Sequence, residues 1–233
     1  MISVALAAYK GEKYIEEQIR SILPQLGHED EIIVSDDKPG GATERIVKKI
    51  AGEDSRVVWI PGRSKGVVAN FVNAIRFCHG DKIFLCDQDD VWLPDKVKRV
   101  MEAFDEGADL VLHNAYVTDG ELNITEYSFF DKRGSKKGVL HNIMKNSYMG
   151  CCMAFDKKLL KHIMPIPKHI PMHDQWIGLM GEIYGKVKFI DMQLIYYRVH
   201  GGNVTGGETS FKQKMQWRRY LISKLYKRVF TGK

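Results

Sequence analysis

Several features are scarce or missing in this 233-residue sequence, and each absence narrows what the chain can be. It has four cysteines (Cys78, Cys86, Cys151 and Cys152), none in a CxxC pair. That set suggests no disulfide framework and fits a reduced, cytoplasmic compartment. No apolar run approaches the length of a membrane-spanning helix. Met1 to Ala8 has no basic segment ahead of it and reads as a first strand, not a signal peptide. No glycine-rich dinucleotide fingerprint follows that strand, and no phosphate-loop motif occurs, so a phosphate-bearing ligand must be held by metal and side chains. No Ser/His/Asp or Cys/His nucleophile signature stands out. Internal repeats and low-complexity segments are absent.

What is present is an ordinary globular composition, 44% hydrophobic and 27% charged, which excludes general disorder. The length fits one large domain, or one domain with a short appendage. The formal charge of +6 is unevenly placed. Eight basic residues and one acidic residue lie between Glu208 and Lys233, which leaves residues 1–207 at −1. A body so charged is not that of a nucleic-acid binder, which presents a basic face on its folded domain. Two parts are expected: a domain over 1–207 and a basic tail over 208–233.

Along the body, short apolar runs alternate with amphipathic stretches. Ile2–Ala7, Ile32–Ser35, Val57–Ile60, Ile83–Cys86 and Leu110–Leu112 read as strands. Between them, Tyr14, Ile15, Ile19, Ile22 and Leu23 recur at helical spacing until Pro24, and Thr43 is placed to cap a helix carrying Ile46, Val47 and Ile50. Two further helices carry Val68, Phe71, Val72 and Ile75, then Val97, Val100, Met101 and Phe104. This alternation argues for an α/β fold with a doubly wound, mostly parallel sheet flanked by helices. The second half is less regular. Residues 119–138 are polar and loop-rich, Cys151–Phe155 and Val187–Val199 read as strands, and Trp176, Ile177, Met180, Ile183 and Tyr184 mark a helix after a proline-broken loop.

Ligands of open parallel sheets bind beyond the carboxyl ends of the strands, and acidic residues cluster there. Asp87, Asp89 and Asp90 follow the fourth strand. Three carboxylates in four residues repel one another unless a cation shares them, and hard oxygen ligands suit Mg²⁺ or Mn²⁺. Asp36 and Asp37 end the second strand, where they are candidates for hydrogen bonds to a base or ribose, although Pro39-Gly40-Gly41 also makes them plain turn residues. Asp174 opens the late helix, a place a helix dipole also favours for an acid.

These residues carry a resemblance. SVALAAYKGEKYIEEQIRSIL at 3–23, IIVSDD at 32–37, Gly66 with NFVNAI at 70–75, DKIFLCDQDDVWLPDK at 81–96, MHDQW at 172–176 and YRVHGGNVTG at 197–206 resemble glycosyltransferase family 2 in order and spacing. The resemblance implies a GT-A fold and an inverting sugar transfer from a nucleotide-sugar, UDP- or dTDP-linked. It implies nucleotide-sugar contacts at Ala7, Tyr9, Asp36, Asp37, Asn70 and Gln88, the last near the ribose. It also implies a metal motif of Asp87 and Asp89 with His200 as a further ligand, and Asp174 as catalytic base. The DQDDVW form with a later HDxW is similar to bacterial enzymes that build surface polysaccharides, rhamnosyltransferases among them. Here the turn after the second strand reads DDKPGGAT where the family has DDGSTDGT: the carboxylates are kept, the serine and third aspartate are not.

The chemistry fits. A divalent cation offsets charge building on a nucleotide diphosphate leaving group, and one carboxylate suffices to deprotonate the attacking hydroxyl. The glycines at 201–207 form either a closing lid or a plain linker. In the tail, Phe211, Met215, Ile222, Leu225, Tyr226 and Val229 share one helical stripe flanked by Lys and Arg. Such a helix lies on an anionic inner-leaflet membrane surface, suiting a lipid-linked or glycan acceptor, or packs on the domain or on a second subunit as a homodimer. Two competing functions remain. A sugar-1-phosphate nucleotidyltransferase needs a basic glycine-rich loop after the first strand, a character that Ala7-Ala8-Tyr9-Lys10-Gly11 lacks. A non-catalytic nucleotide-sugar- or membrane-binding module gives no reason for Asp174.

Overall fold

The computed structural model of the protein describes residues 1–201 and 210–231. In chain order the elements are β1 (Ile2–Ala8), α1 (Ile15–Ile22), β2 (Glu31–Asp36), α2 (Ala42–Glu53), β3 (Val57–Pro61), α3 (Val67–Phe77), β4 (Lys82–Asp87), β5 (Val91–Trp92) and α4 (Lys96–Asp105). There follow β6 (Leu110–Thr118), β7 (Ile124–Glu126), α5 (Phe129–Arg133), α6 (Val139–Met144), β8 (Met153–Asp156), α7 (Leu160–Ile163), α8 (His173–Tyr184), β9 (Val187–Arg198) and α9 (Phe211–Thr231). The strands form one sheet in the order β3-β2-β1-β4-β8-β6-β9-β5, with β7 paired to β6.

The first half follows the sequence pattern. Strands β1, β2 and β4 are near-continuous apolar runs, and every residue of β1 and β2 is buried. Burial on both faces is what parallel strands with helical crossovers require. β1 pairs in parallel with both β2 and β4, and β2 with β3. α1 turns Ile15, Ile19 and Ile22 into the core and ends in a 3-10 turn over Leu23–Gln25, where Pro24 has no amide hydrogen for a longer helix.

The second half makes the sheet mixed. β8 enters between β4 and β6, antiparallel to both, while β6 and β9 run parallel. The strand expected over Cys151–Phe155 begins only at Met153, because Gly150–Cys152 form a 3-10 turn. Thr43 does not cap α2: Gly41 occupies the cap position, and the Thr43 hydroxyl accepts from Gly11 N at 2.9 Å and donates to Glu12 at 3.1 Å. It ties α2 to the loop after β1.

The tail helix α9 docks on the body along one edge. Leu221 and Leu225 are buried, and Arg228 sits over the Trp176 ring while donating to the carbonyls of His162, Met164 and Pro165. Leu225 thus leaves the expected stripe for the core. Phe211, Met215, Ile222, Tyr226 and Val229 stay exposed. No helix among the described residues is long and apolar enough to cross a membrane.

Candidate functional site

The chain leaves β1 toward β2 on one side, and β4 lies on the other, so a crevice opens beyond the carboxyl ends of β1 and β4. Ala7 stands in register with Ser35 and with Asp87, which brings the three strand ends level. Tyr9, the next residue but one, projects an exposed ring. Its backbone is held by Gln88, which accepts from Tyr9 N at 2.8 Å and donates to Tyr9 O at 3.0 Å. The side chain expected near a ribose therefore extends the β1–β4 pairing by one step. Gly11 permits this, since a β-carbon there would lie 2.2 Å from Gln88 Oε1.

The residues expected to bind nucleotide around the end of β2 divide into one open and two committed groups. Asp37 has both oxygens engaged, by Ser64 N at 2.7 Å and Gly66 N at 2.8 Å, and so shapes the loop entering α3. Asn70 accepts from the Ser35 hydroxyl at 2.6 Å and donates to Ala8 O at 2.9 Å, clamping β1 to β2. Asp36 is wholly buried, and its Oδ1 accepts from Lys38 N at 2.9 Å. Its Oδ2 forms no hydrogen bond of normal geometry among the described residues, and burial raises its pKa against the opposing Lys38 N–H and the neighbouring Trp59 indole. A buried carboxylate oxygen without a well-formed hydrogen bond gains when a ligand supplies one.

The three carboxylates after β4 are handled separately. Asp87 faces the cleft; burial and the neighbouring Asp90, Asp89 and Asp174 charges hold its pKa well above the usual carboxylate range. Asp89 meets His200 Nε2 at 2.9 Å, an ion pair when the imidazole is protonated. Asp90 accepts from Arg198 N at 3.0 Å, while its buried Oδ2 forms no hydrogen bond of normal geometry, and burial with Asp89 pushes its pKa up to about 7 against the Arg198 N–H and the Cys151 thiol. Ligand atoms of Asp87, Asp90 and Cys151 lie within 4.8 Å of one another. Close to them, the buried Lys96, its pKa lowered by burial, donates to Cys151 O at 2.8 Å and sits 3.9 Å from the Trp92 ring centroid.

Asp174 lies in the first turn of α8 and is 4% exposed. Its Oδ1 accepts from Gln175 N at 2.6 Å and Asn146 Nδ2 at 3.3 Å. Burial raises its pKa to about 6 against those hydrogen bonds and the Arg133 charge. An acid so tuned can take a proton near neutral pH. Its neighbour His173 is buried against Phe71, 4.1 Å between ring centroids, and burial lowers its pKa to about 3, so it stays neutral.

The donor set suits a divalent cation. Asp87 offers a hard oxygen among carboxylates whose mutual repulsion a cation would relieve, but the close group of ligand atoms is completed by Asp90 and Cys151, and the expected ligands Asp89 and His200 pair with each other outside it. Cys151 is a poor ligand for such an ion: its thiol is held protonated by burial, with a pKa well above the ordinary value. Sequence reasoning missed Cys151, Arg198, Tyr14 and Asn146. Arg198, two residues before His200, buries its guanidinium against Asp89 O at 2.9 Å and over Tyr14, 4.3 Å from the ring centroid. Its place in the YRVH motif was the available signal; Asn146 had none. The glycine-rich segment 201–207, read as a lid or a linker, lies largely outside the described residues.

Comparison with known proteins identifies the family and the fold. The family profile described as Glycosyl transferase family 2 matches residues 3–164. A dTDP-rhamnosyl transferase, RfbG of Shigella flexneri, is 26% identical over 250 residues, covering 97% of this chain and 82% of its own length. A glycosyltransferase of Nostoc sp. without an assigned reaction is 24% identical over 212 residues, covering 87% of this chain and 66% of its own length. The crystal structure of S. aureus TarS 1–349 with UDP-GlcNAc superposes with a TM-score of 0.77 at 19% identity, covering 97% of this chain. The chain spans 66% of that TarS fragment. The likeness to TarS establishes the fold: an α/β GT-A sheet flanked by helices.

Proposed function

The chain belongs to glycosyl transferase family 2, and from that premise we propose that it moves a sugar from a nucleotide-sugar, with inversion and in a metal-dependent reaction, to a glycan or lipid-linked acceptor in surface polysaccharide synthesis. The observation that carries this reading is the convergence of Asp87, Asp89 and Asp174 at one crevice, close enough that the Asp174 charge raises the Asp87 pKa. The first two would serve a cation, and Asp174, buried with a pKa of about 6, would serve a proton.

The roles follow from the partners. The Asp36 Oδ2 offers an acceptor at the β2 end, where the imide N–H of uracil or thymine is the matching donor. UDP and dTDP both carry that group; RfbG is named for dTDP-rhamnose and TarS is seen with UDP-GlcNAc. Tyr9 and Ala7 line the base and ribose side, while Asp37, Asn70 and Gln88 act by fixing the three strand ends. Asp87, Asp89 and His200 would hold Mn²⁺ or Mg²⁺, which supplies positive charge to the leaving diphosphate. Asp174, held by Gln175 N–H and Asn146, removes the proton of the attacking hydroxyl. A single base with no nucleophile is what a one-step displacement needs.

The exposed stripe of α9 and its flanking Lys and Arg would rest on the inner leaflet of the membrane, making the protein peripheral on the cytoplasmic face. A second subunit on that stripe is the competing occupant. The test is a thermal-shift screen of UDP- and dTDP-sugars with Mn²⁺ or Mg²⁺, followed by NMR of the product anomer. Stabilisation that needs the cation, and an inverted anomer, are expected. Retention of configuration, or full activity in EDTA, overturns the mechanism.

A further inference from the structure

The loop joining α5 to α6 carries a charge that the overall balance conceals. Residues 131–145 hold five basic side chains and one acidic, in a body whose net charge over 1–207 is −1. Lys132, Arg133, Lys136, Lys137 and Lys145 are all exposed. Lys132 pairs with Glu126 at 3.2 Å, whereas the other four make no ion pair among the described residues. Of the two carboxylates on the underlying helix, Glu182 is already taken by Tyr148 OH and Gly138 N, each at 2.8 Å, and Asp174 by Gln175 N and Asn146.

The backbone gathers these cations on purpose-shaped turns. Gly134 and Gly138 have φ of +67° and +112°, left-handed values that reverse the chain on either side of Lys136 and Lys137. Lys145 returns from α6 to the same place, its Nζ 3.2 Å from where a β-carbon on Gly134 would lie. The cluster borders the proposed base. Arg133 Nε donates to Asn146 O at 2.9 Å, and Asn146 Nδ2 donates to Asp174 Oδ1 at 3.3 Å. On its other side lies an apolar face: Leu140 and Met144 are exposed, and Arg218 bridges Met144 O to Met215 on the exposed stripe of α9.

The order is therefore base, cations, apolar surface. We propose that Arg133, Lys136, Lys137 and Lys145 bind the diphosphate of a lipid-diphosphate-linked acceptor sugar, whose chain leaves over Leu140, Met144 and the exposed face of α9. The proposal rests on the glycosyl-transfer reading, with the acceptor sugar at Asp174 and the diphosphate one ring away. Exposed lysines and an arginine with no carboxylate partner are matched to phosphate oxygens, and the adjoining apolar residues to a hydrocarbon.

Farnesyl diphosphate, farnesyl monophosphate and farnesol, each below its micelle concentration and in EDTA, are the probes. Calorimetric titration should rank them in that order. Lys136→Glu/Lys137→Glu should weaken farnesyl diphosphate at least about tenfold, with an unchanged melting temperature reporting an intact fold. Equal affinity in the double variant, or farnesol binding as tightly as the diphosphate, overturns the proposal. So does phosphatidylglycerol vesicle binding that the double variant loses and farnesyl diphosphate fails to compete for, since that marks a general anionic surface at the cluster. UDP with Mn²⁺, titrated into the wild type, reads the premise separately. If UDP binds and the diphosphate lipid does not, only the acceptor site fails; if UDP does not bind, the glycosyl-transfer reading itself fails.

Discussion

Asp89 and His200, 111 residues apart in sequence, meet at 2.9 Å. The contact fastens the end of β9 to the loop after β4, and Tyr14 completes it, its ring centroid 5.0 Å from that of His200 and 4.3 Å from the Arg198 guanidinium. The two carboxylates of the DQD motif thus have different settings. Asp87 faces the crevice among other acids, while Asp89 is oriented by an imidazole.

If both belong to a cation site, they fail in different ways from His200. Asp89→Ala should lose Mn²⁺-dependent nucleotide binding altogether. His200→Ala should keep it but need roughly 10–100-fold more Mn²⁺, the usual cost of losing one ligand or its orienting partner. Metal titrations monitored by UDP binding check both. An Asp89→Ala protein with wild-type Mn²⁺ dependence would remove that residue from the site.

The Asp36 oxygen that forms no well-aligned hydrogen bond makes a prediction about the base. Uracil and thymine present an N–H at ring position 3, whereas cytosine presents a lone pair there. Facing a carboxylate, the lone pair leaves two acceptors opposed and unsatisfied, which costs roughly 1–3 kcal/mol. UDP and dTDP should bind about 10–100-fold more tightly than CDP, and Asp36→Ala should erase most of the difference. Equal binding of the three nucleotides by the wild type would place the base elsewhere.

The two faces of α9 should separate stability from surface binding. Leu225 is 6% exposed, so Leu225→Ala should cost about 2–4 kcal/mol, lost apolar burial plus the cavity left behind. Ile222 is 49% exposed, and Ile222→Ser should leave the melting temperature almost unchanged while weakening binding to phosphatidylglycerol vesicles. A large loss of stability in Ile222→Ser, or a dimer that dissociates, would show that the stripe meets protein instead of lipid.

Much of this was legible in the sequence because it depends on local order. The parallel half announces itself in runs such as Ile2–Ala8 and Ile83–Cys86, since a strand buried on both faces has no polar positions to interrupt it. The site residues at strand ends followed from the same periodicity. Contacts made across the sheet were hidden. Nothing in the run 150–153 says that Gly150–Cys152 turn before β8 starts, or that β8 enters between β4 and β6 and brings Cys151 beside Asp87 and Asp90. Gln88 and Asn70 were named as ligand contacts by their place in motifs. Their amides instead bind backbone and hydroxyl groups of the neighbouring strand ends, a role visible only once those ends are side by side. Asp174 was found by motif, but its tuning comes from burial that no local pattern encodes.

Asp174 offers the sharpest test, because the same burial that suits it as a base should penalise the fold. Its carboxyl has a pKa of about 6 in the folded protein against 3.8 for the free group. The folded state thus holds the proton more tightly than the unfolded one. Below pH 3.8 ionisation costs nothing; the cost grows between 3.8 and 6 and is full above 6. At pH 7.5 it amounts to roughly 3 kcal/mol. Asparagine keeps the oxygen that accepts from Gln175 N and Asn146, and never ionises. Asp174→Asn, unfolded by denaturant in EDTA, should therefore be more stable than wild type at pH 7.5, with the gain fading toward pH 4. Its kcat should fall about 10²–10⁴-fold, while UDP binding with Mn²⁺ stays near normal. Wild-type kcat should drop as pH falls below about 6, where the base is protonated. A variant with no gain in stability at neutral pH would show that Asp174 is not held in a low-dielectric setting. A variant that turns over at the wild-type rate would show that the proton leaves by another group.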